Sequence, residues 1–191
     1  MTEGRSIVLA RHGRVDVSWS TRIPGRSFAG FVQRFESAGI APDAKPLEGA
    51  RRQAQEAHIL AVSDTRRAAE SAQILAPARP LVSDALFREA ELPAHFRTRI
   101  ALRAGIWAIV ARFLWHLRQW PGVESVQDAK ERANRAANLL ERLAAEHGSV
   151  FLLGHGYFNR FIARELRRRG WRGPRFPGTR YWEASTYRRA G

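Results

Sequence analysis

The chain contains no cysteine. That excludes a disulfide framework, thiolate metal sites and a cysteine nucleophile. Lysine is almost missing as well. Of 32 basic residues only Lys45 and Lys130 are lysines, and the others are arginines. Acid is scarce, with 18 Asp and Glu in 191 residues, so the net charge is +14 with histidine neutral. No long apolar run is present. The nearest, Ile100–Trp120, is interrupted by Arg103, Arg112, His116 and Arg118. A spanning helix wants about 20 mostly apolar residues, so a transmembrane segment is excluded. The opening MTEGRSIVLARHG lacks the apolar run and small-residue cleavage site of a signal peptide, and a cytoplasmic location is the expectation. Repeats, low-complexity tracts and linkers are also absent, which predicts one domain over residues 1–191.

What is present is an ordinary globular composition, 45% hydrophobic and 26% charged. A chain of this length buries roughly 70% of its unfolded surface and needs no metal or disulfide staple. The basic excess predicts anionic partners, among them nucleic acid, acidic lipid and phosphorylated small molecules.

Apolar patterning alternates short runs with helical periods. Ile7–Ala10, Ile59–Val62 and Val150–Leu153 read as buried strands, with Pro80–Val82 a short fourth and Trp182–Tyr187 a candidate edge strand. Helices are predicted over Phe28–Ala38, Glu48–His58, Arg66–Leu75, Phe96–Trp120, from a Ser125 cap to about Glu146, and from about Tyr157 to Arg169. Residues 14–27 hold Pro24-Gly25 and read as a loop. Strands alternating with helices predict an α/β layer fold with a largely parallel sheet.

Two strands end alike. Leu9-Ala10 runs into Arg11-His12-Gly13, and Leu152-Leu153 runs into Gly154-His155-Gly156. Ligands of open α/β sheets bind beyond the carboxyl ends of strands, so the two histidines can meet although they are far apart in sequence. His155 opens a helix, where free N–H groups and the dipole favour an anion. A third strand end, Ser63-Asp64-Thr65-Arg66-Arg67, also brings arginine to a helix start. Histidines and arginines at strand ends suit a phosphate, because the guanidinium fork takes two phosphate oxygens at once.

These residues resemble the histidine phosphatase (phosphoglycerate mutase-like) superfamily. Its opening Arg-His-Gly is matched by Arg11-His12-Gly13. Its Ser-x-x-x-Arg-Ala-x-x-[Thr/Ser]-Ala element is matched by Ser63 to Ala72, a register in which Arg67 and not Arg66 is the phosphate ligand. Leu86-Phe87-Arg88-Glu89 matches the acid element, Glu124-Ser125 with Arg132 a later one, and Gly154-His155-Gly156 the last. Two departures stand out. Arg14-Val15-Asp16 follows Gly13 where the family often has Glu or Gln and then Thr or Ser. Ala90-Glu91-Leu92-Pro93 follows the acid where an aromatic and a glycine are usual, which leaves the acid between Glu89 and Glu91.

The resemblance implies a three-layer α/β/α sandwich with a mostly parallel central sheet. It implies a metal-independent phosphomonoesterase working through a phosphohistidine, with no cofactor and a phosphorylated small molecule as substrate. His12 is then the nucleophile, and Arg11, Arg67 and His155 hold the phosphoryl oxygens. Glu89 is the general acid and base. Gly13, Arg14 and Glu124 are candidate substrate or phosphate contacts. Segments around 14–45 and 90–122 are candidate substrate caps. The alternatives are a non-catalytic phosphate- or polyanion-binding protein on the same fold, for nucleic acid or acidic lipid, and a phosphomutase as a third reading. His58, His95, His116 and His147 read as structural or surface residues, with His95 a possible pocket lining. The Trp107–Trp120 stretch reads as core and substrate-side cap; its arginines also fit a helix lying on a membrane surface.

Overall fold

The computed structural model describes residues 4–189. In chain order the elements are β1 (Arg5–Arg11), β2 (Arg22–Pro24), α1 (Phe28–Ser37), α2 (Glu48–Glu56), β3 (Ile59–Ser63), α3 (Arg66–Leu75) and β4 (Leu81–Asp84). They continue with β5 (Ala101–Arg103), α4 (Ala104–Leu117), α5 (Val126–His147), β6 (Ser149–Gly154), α6 (Phe158–Arg168) and β7 (Ala184–Arg189). One five-stranded sheet runs β4-β3-β6-β1-β7. Its first four strands are parallel, and β7 pairs antiparallel with β1 at the edge.

The three inner strands β3, β6 and β1 are buried on both sides, so their residues divide between two cores. Ile7, Leu9, Ile59, Ala61, Val150 and Leu152 face α5 and α6. Val8, Ala10, Leu60, Val62, Phe151 and Leu153 face α2 and α3. Helices on both faces make the three-layer α/β/α sandwich. The inner face of α5 is built of Ala129, Ala133, Ala136, Ala137 and Ala144 with Leu140, small residues that let it lie close on the sheet. Its start is a reciprocal capping box. Ser125 Oγ accepts from the Asp128 N–H, and Asp128 Oδ2 accepts from the Ser125 N–H, both at 3.1 Å.

A third cluster lies off the sheet. Phe28 and Phe31 of α1 pack with Trp107 and Ala111 of α4, with Ile23 and Ala104 between them. Here the structure departs from two sequence expectations. Residues 14–27 are not all loop, because Arg22–Pro24 forms β2. The helix expected over Phe96–Trp120 starts only at Ala104 and stops at Leu117, because residues 98–103 are extended along β2. Gly25 N–H donates to the Ile100 carbonyl, Arg26 N–H to Thr98, and β5 pairs Arg22–Pro24. Phe96 leaves the helical pattern to stack on Trp107, with ring centroids 5.0 Å apart. Tertiary pairing overrides a local helical period that is only apolar residues in a row.

Candidate active site

The sheet register brings the two His-Gly ends together. Arg11 pairs with Gly154 at the last rung of β1 and β6. His12 N–H then donates to the Gly154 carbonyl at 3.1 Å, and the two imidazoles meet edge to face with centroids 5.1 Å apart. β3 lies on the other side of β6 and delivers Ser63 beside His155. In the first turn of α3, Arg67 returns to the same point, fully buried.

Each histidine's tautomer follows from its neighbours. His12 Nδ1 lies 2.8 Å from the Gly13 carbonyl oxygen. A carbonyl only accepts, so Nδ1 carries the proton and Nε2 keeps its lone pair. His155 Nδ1 lies 3.4 Å from Arg67 Nη2, which only donates, so its proton is on Nε2, 3.0 Å from Ser63 Oγ. Both rings are neutral. Burial depresses the His12 pKa well below its ordinary value, and the Arg11 and Arg67 charges depress it further against the weaker pull of the Gly13 carbonyl. Burial likewise leads for His155, followed by His12, Arg67, Arg11 and Arg132.

The arginines are positioned with donors to spare. Arg11 Nη1 donates to the Thr179 carbonyl at 2.6 Å, and its guanidinium lies 4.1 Å from the centre of the Tyr181 ring. Arg67 Nη1 donates to the Glu36 carbonyl at 3.1 Å and Nη2 to Glu36 Oε2 at 2.8 Å. The Nε–H of each arginine is buried and meets no acceptor among the described residues. Buried charged donors without partners are costly, and an oxyanion beside His12 would satisfy both.

Gly13 is required by packing. A Cβ there would fall 2.1 Å from Trp182 Cζ2. Trp182 is itself held in the left-handed region at φ 65, with its N–H on the Arg11 carbonyl at 3.1 Å. Gly13 N–H donates to Ser71 Oγ at 2.9 Å, and Ser71 Oγ donates to the Arg67 carbonyl at 2.6 Å. One hydroxyl thus ties the His12 loop to the helix carrying Arg67.

The carboxylates divide. Glu89 lies against the start of α6, two residues beyond His155. Its Oε1 accepts from the N–H of Ala90 at 2.9 Å and Phe158 at 2.8 Å, and its Oε2 from Tyr157 at 3.1 Å. Glu91 sits farther out, with Oε2 on the Glu124 N–H at 2.7 Å. The Glu124 carboxylate is taken by Arg132, from Nε at 2.7 Å and Nη2 at 2.8 Å. Arg132 also donates to the carbonyls of Leu86 at 2.9 Å and Arg88 at 2.8 Å, so the pair braces the segment that carries Glu89.

His12, Arg11, Arg67, His155, Glu89, Glu91, Glu124 and Arg132 all line one cleft of about 1220 Å³. Its outer wall comes from Trp19, from Val32 and Phe35 of α1, from His95, and from Ile109 and Arg112 of α4. Arg14 does not line it and pairs with Asp43 on the exposed side. Sequence reasoning missed Glu36, Tyr181 and Arg112. Arg112 turns its guanidinium over the Tyr157 ring, 4.1 Å from its centre, and donates to the Ala90 carbonyl at 2.8 Å. Burial pushes it below the ordinary arginine value, against the pull of Glu89, Tyr157 and Glu124.

The family model described as "Histidine phosphatase superfamily (branch 1)" matches residues 7–179. Among curated proteins none matches the sequence. The fold is similar to that of a mycobacterial glucosyl-3-phosphoglycerate phosphatase, with a TM-score of 0.56 at 23% identity, covering 86% of this chain and 80% of that one. An open reading frame product of Mycobacterium tuberculosis superposes with a TM-score of 0.60 at 16% identity, over 98% and 95%. A phosphoserine phosphatase from Entamoeba histolytica, solved with 3-phosphoglyceric acid, gives 0.55 at 14% identity, over 85% and 80%.

Proposed function

The chain belongs to the histidine phosphatase superfamily, and from that premise we propose that it is a metal-independent phosphomonoesterase acting through a phosphohistidine. The observation that carries the proposal is a buried, neutral His12 with Nε2 unprotonated, flanked by two arginines whose buried Nε–H groups lack acceptors. A neutral imidazole is a nucleophile. Donors already in place hold the equatorial oxygens of the transferring phosphoryl group and match its charge.

In the first step the Nε2 lone pair attacks phosphorus and the phosphorus–oxygen bond to the leaving group breaks. Arg11 and Arg67 draw the phosphoryl charge, and His155 joins them when its Nε–H turns from Ser63 Oγ to a phosphoryl oxygen. Glu89 gives a proton to the departing oxygen. In the second step water attacks the phosphohistidine, loses a proton to Glu89, and the N–P bond breaks to release inorganic phosphate and regenerate neutral His12. Glu89 is preferred to Glu91 for this role. The α6 amides fix it beside the His155 loop, and Oε2, with one N–H partner, keeps a lone pair for the proton.

Segments 14–45 and 90–122 form the cap in this reading, and the cleft they enclose takes a phosphorylated small molecule. The test is hydrolysis of p-nitrophenyl phosphate in EDTA. Wild type should turn over, His12→Ala should lose on the order of a thousandfold or more, and Glu89→Gln should lose far more than Glu91→Gln. Acid-labile, base-stable phosphate should appear on His12 after a rapid quench. Equal traces of activity in wild type and His12→Ala would sink the proposal.

A further inference from the structure

Helix α4 carries an apolar face that no described residue covers. Ile106, Ile109, Phe113 and Leu117 are 43, 71, 63 and 63% exposed. At 3.6 residues per turn they share roughly 80° of arc. The far side of the helix, Trp107, Ala111 and Trp115, is buried. Ile100, 62% exposed, adds to the apolar surface just before β5. Single exposed apolar residues are ordinary, but a contiguous set on one element marks an interaction site.

The charge around this face has one sign. From Leu92 to Val123 there is no Asp or Glu, while Arg97, Arg99, Arg103, Arg112 and Arg118 fall within the same span. Arg97, Arg99, Arg103 and Arg118 are exposed, and among the described residues none of the four has a carboxylate within ion-pair distance. Arg22 stands directly opposite Arg103 across the β2–β5 pair. Like charges at that position cost stability, and an external anion between them relieves the cost.

We infer that this face docks on the surface of an anionic lipid bilayer. The four apolar side chains enter the boundary between headgroups and acyl chains, and the surrounding arginines meet lipid phosphates. Neither signal alone anchors a protein stably, and here both come from exposed side chains of one segment, residues 97–118. A second copy of the chain is a poor occupant, since it would bring two arginine-rimmed faces of like charge together. Single-stranded nucleic acid needs aromatic platforms, and three of the four stripe residues are aliphatic. Gly105, Ala108, Ile109 and Arg112 line the cleft, so Ile109 belongs to both surfaces. Docking by this face therefore turns the cleft mouth toward the headgroups. The docking itself does not depend on the proposed chemistry.

The experiment is co-sedimentation of the purified full chain with vesicles of phosphatidylcholine, with and without one third phosphatidylglycerol. Wild type should pellet with the anionic vesicles and not the neutral ones, and less at high salt. Phe113→Glu with Leu117→Glu should weaken binding on the order of tenfold or more, and Arg97→Gln with Arg99→Gln should weaken it severalfold. These side chains lie outside the cleft lining, so circular dichroism and p-nitrophenyl phosphate turnover should be unchanged. Absence of vesicle binding overturns the inference. So does binding that both double variants retain, a dimer abolished by Phe113→Glu with Leu117→Glu in place of vesicle binding, or an oligonucleotide bound in preference to anionic vesicles.

Discussion

Holding two histidines neutral in the centre of the site makes the stability of the whole protein depend on pH, with a sign that can be worked out. In the unfolded chain His12 and His155 titrate near 6.5. In the fold both values lie well below that, chiefly through burial and then through neighbouring positive charge. Between the folded and unfolded values the unfolded form binds two more protons than the native form. Stability is therefore fully present above about pH 6.5 and is lost as pH falls. Each proton contributes a limiting slope of about 1.4 kcal/mol per pH unit, so two give about 2.7. Integrated from pH 7 to pH 5, the upper limit, reached if both rings stay neutral throughout, is about 4 kcal/mol, a large share of the 5–15 kcal/mol typical of a domain. The carboxylates held low by hydrogen bonds and arginines, such as Asp64 and Glu70, contribute their losses mainly below this window. Urea unfolding followed by tryptophan fluorescence, in phosphate-free buffers from pH 5 to 7.5, measures the slope. The His155→Asn variant should lose about half of it. In the same buffers kcat/KM for p-nitrophenyl phosphate should hold between pH 7 and 6, because His12 does not take up a proton there. A flat stability profile, or an undiminished slope in the variant, would refute the buried neutral pair.

Two more perturbations test what surrounds that pair. Gly13→Ala puts a methyl 2.1 Å from the ring of buried Trp182 and should destabilise by about 1–3 kcal/mol or more, with activity falling further than stability because the His12 loop must move. Urea midpoints and kcat on the same preparation separate the two effects. Arg132→Met strands the Glu124 carboxylate and frees the carbonyls of Leu86 and Arg88, which should cost about 3 kcal/mol and lower kcat with KM little changed, since the segment bearing Glu89 loses its brace.

The parts of this site that could be read in the sequence are those whose geometry is local. A buried strand running into His-Gly states where its histidine will stand, and two such strands in one parallel sheet state that the histidines will be neighbours. Ser125 and Asp128 announce the start of α5 by spacing alone. Arg67 is legible only through its place in a longer pattern, since an arginine in the first turn of a helix is otherwise a solvated residue. The weak alternation near β7 suggests an edge strand, while the order β4-β3-β6-β1-β7 is set by long-range pairing that no local pattern states. β2 and β5 were not legible, because three-residue strands have no period of their own and exist through pairing with each other.

Glu36 was invisible for a stronger reason. It sits near the end of an amphipathic helix whose sequence speaks only of Phe28, Phe31 and Phe35 facing inward. Its contact with Arg67 is created when the end of α1 reaches the carboxyl ends of the strands, and that contact changes what the buried arginine can do. Two of its guanidinium nitrogens are already committed to Glu36, and Nε is the nitrogen with no partner among the described residues. A phosphoryl group bound beside His12 must therefore either share Arg67 with a carboxylate or displace it. Glu36 remains half exposed, so it can turn outward to water at little cost. The motif names the arginine; the cap decides how much of it a substrate can use. On the proposed function, the phosphate chemistry is therefore written in short patterns at strand ends, and the contacts that would limit a substrate's use of Arg67 come from the long-range packing of α1.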